Sequence, residues 1–249
     1  DMASKIASTA RASVAPIMDE QGEPLGAVTV LRDITELKRV EEAKAQFVNM
    51  VAHELRAPIA AVDGYLGVMR EGMVEDPAKQ TEMIDRSRKR LGSLLDLVND
   101  LLEISRIEAG TVRREIGPVD TREVIEDACE IARPLAAEQN SNTTADLPDE
   151  LPVIRVDRDE FSRCLTNLLS NAIKYNKPEG NVTVTVSQDG PYLRVDVADT
   201  GVGISPEGQK RVFDEFFREK TDATREVTGT GLGLSIVKRI VEFYHGKVE

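Results

Sequence analysis

Apolar and polar residues alternate through the first thirty positions, and then the pattern changes to a helical period. Ala12 to Met18 and Gly26-Ala-Val28-Thr-Val30-Leu31 read as two strands, and Asp19-Glu-Gln-Gly22-Glu-Pro24 between them has turn chemistry, so the segment predicts a β-hairpin. Two or three strands do not make a stable domain alone, so this piece needs a partner or a missing remainder. From Thr35, a plausible N-cap, to about Met73 the pattern is helical, with Val48, Val51, Leu55, Val62, Leu66 and Met69 in one seam. Gly72 to Pro77 reads as a turn. A second helix is expected over Pro77 to Ile107, with Ile84, Leu91, Leu94, Leu95, Val98, Leu101, Leu102 and Ile104 in its stripe. Two amphipathic helices on a short connection form an antiparallel hairpin that cannot bury both stripes by itself. Pairing two hairpins into a four-helix bundle solves this, so a symmetric homodimer through residues 35–110 is expected. A plain coiled-coil scaffold without chemistry would leave the same stripes. Pro58 cannot donate to the Glu54 carbonyl, so the first helix should bend or loosen there.

After a polar linker from Glu108 to Pro118, helices alternate with strands: a helix over about 120–138, strands near 142–146 and 153–156, a helix over 158–176, strands over 181–187 and 192–198, and a helix over 231–245. This reads as a separate α/β sandwich with helices on one face of a mixed sheet. The chain as a whole is therefore expected to be an α+β multidomain protein, divided at about 1–34, 35–110 and 111–249.

Composition narrows the class. A net charge of −12 argues against nonspecific binding to nucleic acid or to an anionic membrane. Aromatics make up only 4%, which suits helices packed by aliphatic side chains. No apolar run approaches the roughly 20 residues that span a bilayer, so no direct membrane contact by this piece is expected, although the full-length protein could be anchored. No signal peptide is visible, and the two cysteines, Cys129 and Cys164, lie far apart in apolar helical patterns, which reads as reduced core thiols in the cytoplasm. The chain opens mid-pattern at Asp1-Met2, as a piece of something longer would.

Candidate chemistry lies at two places. His53, one of two histidines, precedes Glu54 and projects nearly opposite the helical seam. A solvated neutral imidazole with a carboxylate beside it can act as a nucleophile near pH 7, although a lone surface histidine usually has no function. More than a hundred residues on, Asn167, Asn171, Lys174 and Tyr175 share one helix face at offsets of four, seven and eight. Amide carbonyls suit Mg²⁺, an ammonium suits phosphate, and a phenol can pack on a base. Asp199-Thr-Gly201-Val-Gly203 follows a strand: the acid could accept from an exocyclic amine, and the glycines let backbone pass close to a ligand. Phe213-Asp-Glu-Phe216-Phe217-Arg218 leads into a charged stretch, Glu219 to Thr228, suited to a lid. Gly229-Thr230-Gly231-Leu232-Gly233 then opens a helix, where backbone amides can hold an anion. It lacks the Gly-Lys-Ser/Thr of a P-loop.

In this order the set resembles the sensor histidine kinases of two-component signalling, over roughly residues 36–249. Pro16 to Gly22, Gly26 and Asp33-Ile34-Thr35-Glu36 also resemble the end of a PAS sensor domain, of which about a third is present. The resemblance implies a dimerisation and histidine-phosphotransfer hairpin followed by a gyrase-type ATP-binding domain using ATP and Mg²⁺. It makes His53 the phosphoacceptor and Glu54 its orienting or deprotonating partner. Asn171 would bind Mg²⁺, with Asn167 beside the phosphates or supporting the metal shell, Lys174 on phosphate and Tyr175 against adenine. Asp199 would read the adenine amine, and Gly201 and Gly203 would shape the pocket. Phe213 and Phe216 would hold the lid's base, and Gly229, Gly231 and Gly233 would anchor the lid near the phosphates. Phe216, Arg218, Gly229, Thr230, Gly231, Leu232 and Gly233 would count among the nucleotide-binding residues. The next acceptor would be an aspartate of a response regulator. Many relatives have Thr or Asn four residues after the histidine, positioning a dephosphorylating water; Ala57 stands there, so phosphatase activity should be weak or absent. Relatives also usually continue past His245-Gly246 with another strand. Two other readings fit less well: a degenerate kinase that binds ATP and acts as a scaffold, and a gyrase-type ATPase, for which the nearest helix acid, Glu160, lies about two turns from Asn167.

Overall fold

The computed structural model describes residues 9–219, 221, 224, 227 and 229–249. Two compact units, residues 1–60 and 61–249, divide the chain inside its first helix. In the first, β1 (Ala10–Met18) and β2 (Pro24–Asp33) form an antiparallel ribbon, with Ala12 opposite Leu31 and Val14 opposite Thr29. The turn is built by Asp19, whose Oδ1 accepts from the Gln21 and Glu23 amides, with Gly22 at φ +82° where a side chain would be strained. Every residue of both strands is exposed, so the ribbon has no core of its own.

Helix α1 (Thr35–Arg70) opens directly after β2. Asp33 Oδ1 accepts from the Thr35 amide at 2.9 Å and the Thr35 hydroxyl at 2.6 Å, and these bonds hold its carboxyl below the usual range. Thr35 is thus the first helical residue rather than the cap, and Asp33 supplies the capping oxygen. Pro58 lies inside the helix, which continues through it. Helix α2 (Pro77–Glu108) begins with Asp76 accepting from the Ala78 amide and proline at the first position, and beyond its Ala109 cap Gly110 takes the left-handed region. Along α1 and α2 the expected seam is only partly covered: Leu66, Leu95 and Leu102 remain 53%, 63% and 52% exposed.

The remainder is an α/β layer. The mixed sheet has the order β4 (Asn142–Asp146), β6 (Asn181–Asp189), β7 (Tyr192–Asp199), with β4 parallel and β7 antiparallel to β6. Val182, Val184 and Val186 of β6 alternate inward and are buried, as the two-residue period requires. Against them pack α3 (Thr121–Glu138) and α4 (Arg158–Lys174) through Val124, Ile125, Ala128, Leu165, Leu169 and Ile173. Burial of each large aliphatic side chain contributes about 1.5–3 kcal/mol. Asp120 and Asp157 cap these two helices by accepting amide protons of their first turns. Helix α6 (Gly233–Phe243) packs on α4 and α2.

Some expectations shift. The linker to Pro118 ends in a short strand, β3 (Gly117–Val119), antiparallel to β5 (Ile154–Val156), and a four-residue helix, α5 (Pro206–Gln209), follows the glycine loop. Helix α4 stops at Lys174 with Tyr175 as its C-cap, and α6 starts at Gly233 because Gly231, at φ +72°, cannot be helical. Among the described residues no helix is long and apolar enough to cross a membrane.

Candidate active site

His53 stands on the exposed side of α1, its side chain 78% exposed, with Nδ1 3.6 Å from Glu54 Oε1. Val51 and Leu55, two residues to either side, are half-buried, so the imidazole leaves the seam and faces solvent. Ala57, one turn on, is exposed.

The second set gathers around the end of α4. Asn167, Asn171 and Lys174 are half-buried on one helix face, while Leu165, Leu169, Ala172 and Ile173 fill the core side. Tyr175, at the C-cap, extends the face by one residue; its amide donates to the Asn171 carbonyl. Asn167 Nδ2 is buried and lacks a hydrogen-bond partner among the described residues. A buried amide left unpaired costs about 1–3 kcal/mol. Its carbonyl oxygen lies 3.0 Å from where a Cβ on Gly233 would be. Gly233 begins α6, whose Leu232 cap makes no side-chain hydrogen bond, and the Leu232 amide itself donates to Thr230 Oγ1 at 3.2 Å.

Asp199 ends β7 with Oδ1 accepting from the Gly201 amide at 2.8 Å. Gly201 is obligatory by close approach: an added Cβ would lie 2.2 Å from the Tyr175 carbonyl oxygen and 2.8 Å from Asp199 Oδ1. The same carbonyl accepts from Val202, which pins the loop to the end of α4. Gly203, at φ +71°, turns the chain away. Gly201→Ala is therefore expected to displace the loop, with an overpacking cost of about 1–3 kcal/mol that a urea melt would measure.

Phe216 takes a left-handed conformation at φ +59°, and its amide donates to the Gly231 carbonyl. Gly231 has backbone of Phe216 where a Cβ would be, so the two segments touch directly. Arg218 donates to the Val227 carbonyl. In the expected lid, residues 220, 222, 223, 225, 226 and 228 lie outside the described residues. Gly229 is exposed, and Leu232 is buried. Thr230, expected near the phosphates, donates its hydroxyl to Asp100 Oδ2 of α2 at 2.9 Å.

That last contact belongs to a group that sequence reasoning did not find. Arg163 of α4 pairs with Asp100 and Glu103, and Arg239 of α6 pairs with Glu108 and Glu215. Burial pushes the Asp100 and Glu103 carboxyls up, an effect larger than the attraction of Arg163 offsets. Glu160, the helix acid nearest Asn167, is also committed: its carboxylate accepts from Arg114 Nε at 2.9 Å and from the Tyr244 hydroxyl at 2.7 Å. Nothing in the sequence pattern marks these contacts, because each joins residues dozens of positions apart.

Residues 43–110 match the family described as His Kinase A (phospho-acceptor) domain. Residues 156–249 match the family of histidine kinase-, DNA gyrase B- and HSP90-like ATPases. The sensor protein kinase WalK of Staphylococcus haemolyticus (strain JCSC1435) is 32% identical over 243 residues, 96% of this chain and 39% of WalK, so the chain spans about two fifths of that relative's length. Full-length ShkA in complex with AMPPNP superposes with a TM-score of 0.55 at 29% identity, covering 80% of this chain and 40% of ShkA. Histidine kinase ThkA, solved with the response regulator protein TrrA, gives a TM-score of 0.66 over 94% of this chain and 68% of ThkA; at 24% identity this likeness concerns the fold alone. With a phospho-acceptor helical hairpin followed by an ATPase domain of this type, the chain belongs to the sensor histidine kinases.

Proposed function

We propose that this chain transfers the γ-phosphoryl group of ATP to His53 and then hands it to an aspartate of a response regulator. The observation that carries this reading is an exposed His53–Glu54 pair in the same chain as a nucleotide-type site whose buried Asn167 amide lacks a partner among the described residues. That amide, the glycine at the start of α6 and the Asp199 oxygen that Gly201 does not use fit a nucleoside triphosphate: a side-chain amide and the backbone amides of a helix start for the phosphates, and an acceptor for the base.

The chain's own groups divide the work. The Glu54 carboxylate, 3.6 Å from His53 Nδ1, would close to hydrogen-bonding distance and hold a proton there, and the Nε2 lone pair would attack the γ-phosphorus. The new N–P bond forms as the bond to the β-phosphate oxygen breaks, ADP leaves, and the Glu54 carboxylate offsets the positive charge that develops on the ring. Asn171 would hold Mg²⁺ through its side-chain carbonyl and Lys174 would meet phosphate oxygens. When bound, Mg²⁺ supplies charge neutralisation between the phosphates. Asp199 would fix the adenine. The half-covered aliphatic seams of α1 and α2 support a homodimer through residues 35–110, in which Leu66, Leu95 and Leu102 gain cover. We read the ribbon of β1 and β2 as the last hairpin of a PAS-type sheet, because it has apolar residues on both faces: Val14 and Leu31 on one, Val28 and Val30 on the other. The commitment of Glu160 to Arg114 and Tyr244 disfavours the reading in which it activates water for ATP hydrolysis.

Incubating the chain with Mg²⁺ and ATP and then with receiver domains tests the reaction. A phosphoramidate on the chain, lost to a receiver aspartate, is the expected result. ATP hydrolysis without a phosphoprotein would return the ATPase reading, and nucleotide binding alone would return the scaffold. Ala57 has no group to hold a water near the histidine. Adding the chain with ADP to an already phosphorylated receiver is therefore expected to leave the receiver's decay rate unchanged; acceleration would contradict this role of Ala57.

A further inference from the structure

The segment after α4 contains a side chain that the reaction does not use and that hydrogen-bonds at both of its polar atoms. Asn176 follows the Tyr175 cap and is half-buried. Its Nδ2 donates to the Asn181 carbonyl at 3.1 Å, and its Oδ1 accepts from the Thr200 hydroxyl at 3.1 Å and from the Lys177 amide at 3.0 Å. The Thr200 hydroxyl in turn accepts from the Asn181 amide at 2.9 Å, and the Thr200 amide donates to the Asn181 carbonyl at 3.1 Å. Asn176, Asn181 and Thr200 thus close a ring of hydrogen bonds that joins the end of α4, the start of β6 and the residue next to Asp199. A Cβ on Gly180 would lie 2.2 Å from Asn176 Oδ1, so the backbone is cut away to admit this amide.

We propose that Asn176 is a positioning residue for base recognition: through Thr200 it fixes the direction of the Asp199 carboxylate and thereby the preference for adenine over guanine nucleotides. The inference rests on the reading of the site as an ATP site. A carboxylate accepts from the exocyclic amine of adenine and repels the carbonyl oxygen that guanine presents at the corresponding position. That discrimination requires the acid to be held in place, and Asp199 is exposed. One of its oxygens is anchored by Gly201, whose loop is pinned to the Tyr175 carbonyl on one side and through Thr200 to Asn176 on the other. Without the Thr200 anchor the carboxylate samples orientations that no longer favour adenine. The phosphate-side groups, Asn167 and the start of α6, make no bond to this ring and should hold a triphosphate as before.

The test is titration of the whole chain with ATP and with GTP, each with Mg²⁺, for the wild type, Asn176→Ala, Thr200→Val and Thr200→Ser. Thr200→Val keeps the shape and removes the hydroxyl; Thr200→Ser keeps the hydroxyl. The expected result is a wild-type preference for ATP that falls about tenfold in Asn176→Ala and in Thr200→Val, a loss on the scale of one or two hydrogen bonds. Thr200→Ser retains the preference, and GTP affinity stays within about twofold throughout. Combining Asn176→Ala with Thr200→Val adds little, because the two act through one ring. A role in stability alone would lower the unfolding midpoint and leave the ATP-to-GTP ratio unchanged, which overturns the inference while the ATP site stands. A wild-type chain that binds neither nucleotide overturns the ATP reading and this inference together.

Discussion

Asp199→Asn is expected to weaken ATP binding by about ten- to a hundredfold while leaving the fold intact. The reason is an inventory of donors and acceptors. The carboxylate has two acceptor oxygens, and one is already used by the Gly201 amide. The other makes no hydrogen bond among the described residues and, on the proposed reading, would take the adenine amine. An asparagine has a single acceptor oxygen and an NH₂ group, so whichever way it turns, either the Gly201 amide or the adenine amine faces a donor. Losing one charge-assisted hydrogen bond costs about 1.5–3 kcal/mol, which converts to roughly one to two orders of magnitude in Kd. Because Asp199 is exposed, little stability is at stake. Calorimetric titration with ATP measures the effect, and a variant that binds ATP as the wild type does would remove Asp199 from base recognition.

The largest effect on stability is expected at Arg114. Its Nε donates to both oxygens of Glu160 at 2.9 Å, the two side chains are 11% and 10% exposed, and its guanidinium carbon lies 3.6 Å from the centroid of the Phe243 ring. Tyr244 donates to the same carboxylate, and burial together with that bond pushes its hydroxyl up to about 12. Arg114→Ala would leave the buried Glu160 carboxyl with the Tyr244 hydroxyl as its remaining partner among the described residues. Removing one member of a buried pair costs about 3–5 kcal/mol, whereas replacing both by apolar groups of similar volume is often close to neutral. Urea unfolding should therefore show a severe loss for Arg114→Ala and substantial recovery in Arg114→Met combined with Glu160→Leu. Equal losses in both would mean that the pair contributes more than relief of a buried charge.

The parts of this fold that can be read from sequence are those with a period. Val182, Val184 and Val186 announce a half-buried strand, and on one helix the Asn167–Asn171–Lys174 face stands away from Leu168, Leu169, Ala172 and Ile173, of which all but the half-buried Leu168 lie in the core. Caps are less legible: Asp120 and Asp157 cap their helices from the position directly before them, whereas Thr35, expected as a cap, is the first residue of its helix and Asp33 supplies the oxygen. What escapes has no local signature. The three residues of β3 become a strand only by pairing with β5, more than thirty residues on. The last position of the α4 face, Tyr175, was expected within the helix, but the helix ends there and its carbonyl instead receives the glycine loop. The contacts of Arg114 with Glu160 and of Thr230 with Asp100 join segments 46 and 130 positions apart. Such pairings are products of tertiary packing, and no composition or period of either segment encodes the other.

The central claim is that His53 receives the phosphoryl group. The most direct measurement is incubation of the chain with Mg²⁺ and γ-labelled ATP beside a His53→Gln variant that binds ATP equally well. Incorporated label that is stable in alkali, lost in acid and absent from the variant is the predicted result. Label that persists in His53→Gln, or a wild-type chain that binds ATP and incorporates none, would contradict it.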